Sequence, residues 1–252
     1  MFPIFDQNPT NSSPVVTRFL IALNLSCFFM TWWLEAQGVS WINAGYGLVP
    51  ARLTADPLGE WTKIITSMFL HADFMHLLWN MIFLHIFGDN VEDVLGKSKY
   101  ILFYLLAGIF GALGQQWVGP LSSVPMIGAS GAIAGVLGAY LVLFPRAPVT
   151  MVNPIPLLWL IMGPFFVLPA WMTVGWWFLG NLMGGLASLG GAETSTAFFA
   201  HLGGFAAGLV LTRPLLPEGK ELSGIGEQLR SPPQVHRSKI FPKERSGPFW
   251  EN

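Results

Sequence analysis

Charged residues are scarce in this sequence. Asp, Glu, Lys and Arg together make up 11% of the 252 residues, whereas a soluble domain has about 25%. Hydrophobic residues reach 52% and occur in long, repeated runs. Because a run of about 20 apolar residues can cross a bilayer as a helix, we expect an all-α, polytopic membrane protein that is embedded in the lipid bilayer.

The sequence also has only one cysteine and almost no net charge, and each of these shortages excludes a class of site. Cys27 is the only cysteine, which excludes an intrachain disulfide and a cysteine metal cluster. No His-Glu-x-x-His motif occurs, so an intramembrane zinc protease is not supported, and we expect neither a metal nor a cofactor. The formal net charge of −1 gives no reason to expect nucleic acid as a partner. Residues 1–14 lack the features of a cleaved signal peptide, so the first apolar run is expected to be an uncleaved anchor.

Six apolar runs predict six membrane spans. Residues 1–14 are then an N-terminal cytoplasmic tail, 15–216 the membrane domain and 217–252 a charged, Pro-rich and disordered cytoplasmic tail. The predicted spans cover about residues 15–33, 74–87, 100–117, 128–144, 169–187 and 197–212.

The connections between these runs differ in character. Residues 36–66 are rich in aromatic side chains and are expected to lie partly in the membrane interface. Residues 88–98 are predicted to be a polar link between the second and third spans. Several prolines interrupt residues 149–168. Because proline breaks helices, we predict an irregular or interfacial segment there.

The distribution of Lys and Arg predicts the orientation. In a six-span arrangement, all of the 13 basic residues except Arg52 and Lys63 fall on one side of the membrane. The positive-inside rule makes that side cytoplasmic, so both termini are expected in the cytoplasm. The fourth and sixth spans then begin on the outer side. Ser130 and His201 lie in their first turns, at similar depth.

Small residues recur around Ser130 and His201. Gly128-x-Ser130-Gly131 opens the fourth apolar run, and Ala200-His201 opens the sixth. Small residues spaced four apart share a helix face and let another helix approach closely. If these faces pack, Ser130 and His201 can meet, and a serine beside an imidazole base is an activated nucleophile. The residues predicted to serve helix packing are Gly128, Gly135, Gly204 and Gly208.

A third group of polar residues begins the second apolar run. His76 and Asn80 are four positions apart and therefore share a helix face. Polar side chains inside spans tend to face the protein interior or water. These two donors could lie opposite Ser130 and stabilise a developing oxyanion, although structural hydrogen bonding between helices is an alternative.

With these motifs in this order, the sequence resembles the rhomboid family of intramembrane serine proteases. The resemblance covers roughly residues 60–215. It implies a six-helix bundle in which Ser130 is the nucleophile and His201 the base. His76, Asn80 and backbone donors at Gly131 would hold the oxyanion. The motifs are His76-x-x-x-Asn80, Phe87-Gly88-x-Asn90-x-Glu92-x-x-x-Gly96, Gly128-x-Ser130-Gly131 and Ala200-His201-x-x-Gly204-x-x-x-Gly208.

Two positions depart from the family pattern. Members often carry Trp-Arg ahead of the first histidine, and here the stretch reads Trp61-Thr62-Lys63. Many members place an aromatic residue four positions after the serine, where it stacks on the histidine, and here that residue is Ala134.

The resemblance also implies partners and a location. The expected substrates are transmembrane proteins cleaved near the outer membrane face, and a bacterial plasma membrane is the expected location. The fifth span is a proposed lateral gate in that family, and Trp176 or Phe178 could form it here. Two other classes stay open. An inactive relative would bind and escort membrane clients without cutting, and a transporter would need an acidic residue at mid-membrane, which the spans lack.

Overall fold

The computed structural model describes residues 2–153, 155, 159, 163–190 and 196–219. Within these ranges the chain forms ten α-helices and three strands, together with a 3₁₀ turn at Ser67–Phe69. The predicted disordered tail lies outside the described residues from position 220 onward. The helices are α1 Val15–Ala36, α2 Ile42–Tyr46, α3 Pro50–Ala55, α4 Pro57–Glu60, α5 Lys63–Thr66, α6 Phe74–Leu95, α7 Lys97–Val118, α8 Ser130–Leu143, α9 Ala170–Leu189 and α10 Phe198–Leu215. The strands are β1 Phe2–Asp6, β2 Pro148–Val152 and β3 Phe165–Pro169.

Three of the described helices, α1, α7 and α10, are long and apolar enough to cross a membrane. Helix α8 is apolar but shorter, with 14 residues. The mostly helical architecture agrees with the expected polytopic bundle. A described helix overlaps each of the six stretches predicted to be spans and begins within three residues of the predicted start; these helices are α1, α6, α7, α8, α9 and α10.

Helix α8 is the centre of the bundle. Nearly all of its residues are buried, and α6, α7, α9 and α10 pack around it. A helix that is apolar all round is typical of such a fully enclosed position. This arrangement surrounds Ser130, the first residue of α8, with side chains from several other helices.

Glycines bring α7, α8 and α10 into backbone contact. A Cβ atom on Gly204 would overlap the carbonyl oxygen of Gly131, and one on Gly208 would overlap that of Gly135. Gly111 of α7 lies in the same way against the carbonyl oxygen of Ala200. Only glycine permits this approach, so the small residues determine how far apart the two helices that carry Ser130 and His201 can lie.

Helix α6 is longer than the sequence predicted. Residues 88–95 were expected in a polar link, but they continue the helix, and the turn to α7 is Gly96 with φ +77°. The prediction was wrong because the polar side chains are used inside the fold. Glu92 is buried and accepts hydrogen bonds from Val16 N–H (2.9 Å), Thr17 N–H (2.7 Å) and the Thr17 hydroxyl (2.8 Å). It thereby caps the N-terminus of α1.

The connection between α1 and α6 folds into the four short helices α2–α5. It is joined to the loop before α8 by an isolated bridge between Leu48 and Met126. The Nζ atom of Lys63, in the stretch that departs from the family pattern, lies 5.0 Å from the ring centroid of Tyr46. A cation–π contact thus involves the lysine that follows Trp61-Thr62.

A small antiparallel sheet forms in the order β1-β2-β3. The sequence predicted no strand, and the irregular segment expected at 149–168 contains most of β2 and β3. The prolines were treated as helix breakers, yet a strand tolerates proline at its first residue or at the sheet edge. Pro148 begins β2 and Pro169 ends β3. The sheet attaches to the bundle through the Tyr140 hydroxyl, which donates to Asp6 at 2.5 Å.

Candidate active site

Ser130 begins α8, and the loop before it is built around Gly128. Gly128 has φ +128° and donates its N–H to the carbonyl of Ser67 at 2.9 Å. A Cβ atom there would lie 2.7 Å from Cε1 of His76. Gly128 was predicted to serve helix packing, and the structure places it in this loop between His76 and Ser130. Ser130 therefore lies beside His76 of α6.

His201 lies in the first turn of α10, directly opposite Ser130. Its Nε2 atom is 2.8 Å from the Ser130 Oγ, although the two residues are 71 positions apart. The contacts of Gly204 on Gly131 and of Gly208 on Gly135 hold the two helices at this distance. The arrangement can transfer a proton from the hydroxyl to the imidazole.

The other face of His201 contacts α9. Its Nδ1 atom lies 2.5 Å from Oδ1 of Asn181. The Asn181 side chain also donates from Nδ2 to the carbonyl of Trp177 at 2.8 Å. The Trp177 ring centroid is 5.8 Å from that of His201. Since Ala134 provides no ring, the aromatic neighbour of His201 comes from α9.

Asn181 was not identified from the sequence. Its signal was a single carboxamide within an otherwise apolar span, and such a residue usually hydrogen-bonds inside a helix bundle. A pattern search could have singled it out as polar. It could not have shown which of the surrounding helices Asn181 faces.

His76 and Asn80 belong to α6, which contributes a further wall of the site. Both line the cavity that also contains Ser130, Gly131 and His201. Asn80 is 6% exposed, and among the described residues its Nδ2 has no hydrogen-bond acceptor. A buried donor without a partner costs free energy, so its presence beside a serine is typical of a site that receives a ligand oxygen.

Backbone donors complete this side of the site. The first hydrogen bond of the α8 ladder runs from Ile133 N–H to the Ala129 carbonyl, at 3.0 Å. The N–H groups of Ser130 and Gly131 precede it and lack acceptors within the helix. A helix N-terminus of this kind favours negative charge.

The cavity has a volume of about 640 Å³. It reaches from the loop before α8 to the space between α6 and α9, where Trp79, Phe83 and Trp177 line it. The two residues predicted to form a gate flank Trp177 in α9, and neither is among the residues that line the cavity. Trp176 is 63% exposed, whereas the Phe178 ring packs against Phe205 of α10 with centroids 4.8 Å apart.

Residues 58–218 match the family model of the rhomboid domain. The chain belongs to the rhomboid family. This rhomboid protein is 40% identical over 131 residues to YdcA of Bacillus subtilis, covering 51% of this chain and 61% of that protein. It is 37% identical over 134 residues to the rhomboid protease GluP of the same organism, covering 52% of this chain and 25% of GluP. With Rhomboid protein 1, mitochondrial, of Saccharomyces cerevisiae it shares 34% identity over 153 residues, covering 59% of this chain and 40% of the yeast protein.

The aligned regions thus span between a quarter and about three fifths of these relatives. The rhomboid domain contains every residue of the Ser130 site described above. No group of three or more His, Cys, Asp or Glu side chains suited to hold a metal ion occurs in the part of the rhomboid chain that the structure describes.

Proposed function

We propose that this protein is an intramembrane serine endopeptidase that cleaves transmembrane proteins near the outer membrane face. The observation that carries the proposal is the 2.8 Å contact between Ser130 Oγ and His201 Nε2, at the wall of a large cavity inside an apolar bundle. Membership in a family whose relatives include a named protease, GluP, supports it.

In the proposed first step, the Ser130 Oγ attacks the carbonyl carbon of the scissile bond while His201 Nε2 takes the hydroxyl proton. The carbonyl oxygen becomes an oxyanion. The N–H groups of Ser130 and Gly131, the side chain of Asn80 and that of His76 are the proposed donors to it. Donors fixed in place before the reaction stabilise such charge without reorganisation.

The tetrahedral intermediate then collapses. The C–N bond breaks, and His201 returns its proton to the leaving amine, which leaves an ester between Ser130 and the substrate acyl group. A water molecule in the cavity next gives its proton to His201 and attacks the ester carbon. The ester C–O bond breaks, the carboxylic acid product forms, and Ser130 regains its proton.

The proposed membrane arrangement has six spans, α1, α6, α7, α8, α9 and α10, with both termini in the cytoplasm. The length of α8 supports a recessed serine. Its 14 residues extend about 21 Å, which is less than the roughly 30 Å hydrocarbon core of a bilayer. Ser130 would then lie below the outer surface, where water reaches it through the cavity.

The proposed location is a bacterial plasma membrane. The Bacillus subtilis relatives share 40% and 37% identity with the chain, against 34% for the mitochondrial yeast relative. The proposed substrates enter sideways from lipid, between α6 and α9, where the cavity is lined by Trp79, Phe83 and Trp177.

A serine-reactive fluorophosphonate probe tests the proposed chemistry against an inactive, client-binding relative. Purified protein in detergent should be labelled at Ser130, and His201→Ala should lose the labelling because the nucleophile is no longer activated. Ser188→Ala is a matched control, since the Ser188 hydroxyl donates to the Gly185 carbonyl at 2.7 Å. Labelling that is absent in wild type, or unchanged in Ser130→Ala, would contradict the proposal.

A further inference from the structure

The hydrogen bonds of Asn181 determine which nitrogen of His201 carries the proton. The carbonyl of Trp177 can only accept, so the Asn181 amide nitrogen faces it, at 2.8 Å. The amide oxygen then faces His201 Nδ1, at 2.5 Å. An amide oxygen can only accept, so Nδ1 must donate and carry the proton.

The consequence appears on the other side of the ring. A neutral imidazole with its proton on Nδ1 has a free lone pair on Nε2. That nitrogen lies 2.8 Å from Ser130 Oγ. The Trp177 carbonyl thereby orients Asn181, Asn181 orients His201, and His201 presents an acceptor to the hydroxyl.

We propose that Asn181 is a positioning residue, which holds His201 in the tautomer and orientation that accept the Ser130 proton. The inference rests on the proposed function, because it assigns His201 the role of base. It adds a third side chain to the Ser130–His201 pair, and it comes from α9, a helix other than those that carry the pair.

Burial and neighbouring contacts support this role. Asn181 is 9% exposed, so little water reaches the amide to replace the bond. The Trp177 ring lies 5.8 Å from the imidazole and 6.2 Å from the ring of Phe205. One turn of α9 therefore supplies both the hydrogen-bond acceptor and the aromatic contact of His201, while Ala134 of α8 supplies neither.

If substrates enter between α6 and α9 as proposed, the same contact couples the orientation of the base to a displacement of α9. An outward displacement of this helix would separate Asn181 Oδ1 from His201 Nδ1. The base would then lose its orientation while substrate enters, and it would regain it when α9 returns. A hydrolytic site closed in this way reacts only after the substrate is enclosed.

Three variants at position 181 test the role by steady-state cleavage of a transmembrane substrate in liposomes. Asn181→Leu removes the acceptor at similar volume, and we expect kcat to fall about 10- to 100-fold, with KM changed less than about two-fold. Asn181→Ala should lower kcat to a similar extent. Asn181→Asp keeps an acceptor for Nδ1 and should retain most of the wild-type kcat. Thr173→Val is the matched control, a polar-to-apolar change on α9 at a side chain that contacts Met151 rather than the base.

The pH profile separates positioning from a structural role. A carboxylate beside Nδ1 stabilises the imidazolium, so Asn181→Asp should lose activity on acidification at a higher pH than wild type. Among the described residues, His76 is the other titratable side chain that interacts with His201. Helix α9 carries no charged residue, and the lysines of α7 lie in its first turn. The shift should therefore persist in a His76→Gln background.

Nitrogen-15 NMR of labelled histidine gives a readout that does not depend on turnover. In Ser130→Ala protein, the His201 signals, assigned by comparison with His201→Gln, should show a protonated Nδ1. Asn181→Leu should shift the tautomer ratio toward a protonated Nε2. If Asn181→Leu does not fold, the pH profile of Asn181→Asp decides alone.

Failure of the inference and failure of the proposed function give different results. If wild type neither cleaves nor labels, the proposed function fails. If wild type cleaves while Asn181→Leu retains its kcat, or Asn181→Asp retains the wild-type pH profile, the positioning role is overturned and the proposed function stands.

Discussion

Gly204 lies against the backbone carbonyl of Gly131 with no room for a side chain between them. This contact joins α10 to α8 one turn below the point where His201 meets Ser130. The distance between the nucleophile and the base of the proposed mechanism is therefore a property of backbone packing.

Gly204→Ala should consequently damage both stability and activity. The added methyl group must push α10 away from α8, and overpacking of this kind costs about 1–3 kcal/mol. We expect a lower thermal unfolding temperature in detergent and a large loss of fluorophosphonate labelling. Gly180→Ala is the control, because a Cβ at Gly180 of α9 meets nothing within 4 Å. Equal labelling rates in the two variants would contradict a role for this contact.

Asn80 offers a test of the proposed oxyanion site. Its buried Nδ2 has no acceptor within the described part of the chain. Asn80→Ala should therefore lower kcat by about 10²- to 10³-fold, as the loss of one oxyanion donor does in other enzymes. Because no native hydrogen bond of that nitrogen is broken, the unfolding temperature should change little.

The control for that change is Asn24→Ala, which removes a different buried asparagine. Asn24 donates to the Leu20 carbonyl of its own helix at 2.7 Å. It should alter stability without a specific loss of kcat. His76→Ala should resemble Asn80→Ala if both side chains serve the oxyanion. Full turnover in Asn80→Ala would assign the residue to helix packing alone.

Much of this site follows from sequence pattern, and the reasons differ from residue to residue. Ser130 and His201 could be paired because glycines four positions apart identify a shared helix face. His76 and Asn80 were recognisable as polar residues on one face of an apolar run. Each of these inferences uses a periodicity that is local to one helix.

The features that sequence reasoning missed depend on contacts between distant segments. Asn181 is polar by inspection, yet its partner is chosen by the packing of α9 on α10. Glu92 looked like a loop residue because its partners, the N–H groups of Val16 and Thr17, lie on another helix. The strands β2 and β3 became apparent only through their pairing, since proline residues obscured their local pattern.

The proposed gate gives a prediction about substrate access. Truncation of Phe178 to alanine should increase cleavage of a transmembrane substrate, because weaker packing of α9 raises the population of an open state. Trp176→Ala should increase it less, because the Trp176 side chain is 63% exposed. Labelling of Ser130 by a small soluble probe should change less. The Phe178 ring packs on Phe205 of α10, so Phe178→Ala also tests whether the relevant contact is to that helix.

A crosslink provides the opposing experiment. A disulfide between cysteines introduced into α6 and α9, in a Cys27→Ser background, should slow cleavage of the transmembrane substrate. The cleavage rate should recover when the disulfide is reduced. Undiminished cleavage by the crosslinked protein would count against entry between these helices.

We expect the stability of the protein to depend on pH because of His71, which is buried in the loop before α6. Burial lowers the pKa of His71 to about 4, and the nearby His76 acts in the same direction, partly opposed by the backbone carbonyl of Phe69 and the carboxylate of Asp73. The unfolded chain then binds more protons between about pH 6.5 and 4, so stability falls as pH falls through this window. The difference between the pKa of His71 in the folded chain and its ordinary value corresponds to a loss of about 3 kcal/mol in the free energy of unfolding across this window.

Replacement of His71 by glutamine should flatten that dependence. Thermal unfolding in detergent at pH 7 and pH 4.5 measures it, and the difference between the two pH values should be smaller in His71→Gln than in wild type. His85→Gln, at an exposed position of α6, is the matched control and should retain the wild-type difference. Parallel pH dependences in all three proteins would be inconsistent with a buried, neutral His71.

The most direct measurement of the central claim is cleavage of a transmembrane substrate by purified protein in liposomes. Wild type should produce two fragments cut near the outer membrane face, whereas Ser130→Ala, His201→Ala and the double variant should all be inactive to a similar degree. Groups that act as a unit are non-additive, so the second substitution should add almost nothing to the first. Substantial cleavage by either single variant, from protein free of other proteases, would contradict the assignment of Ser130 and His201 as nucleophile and base.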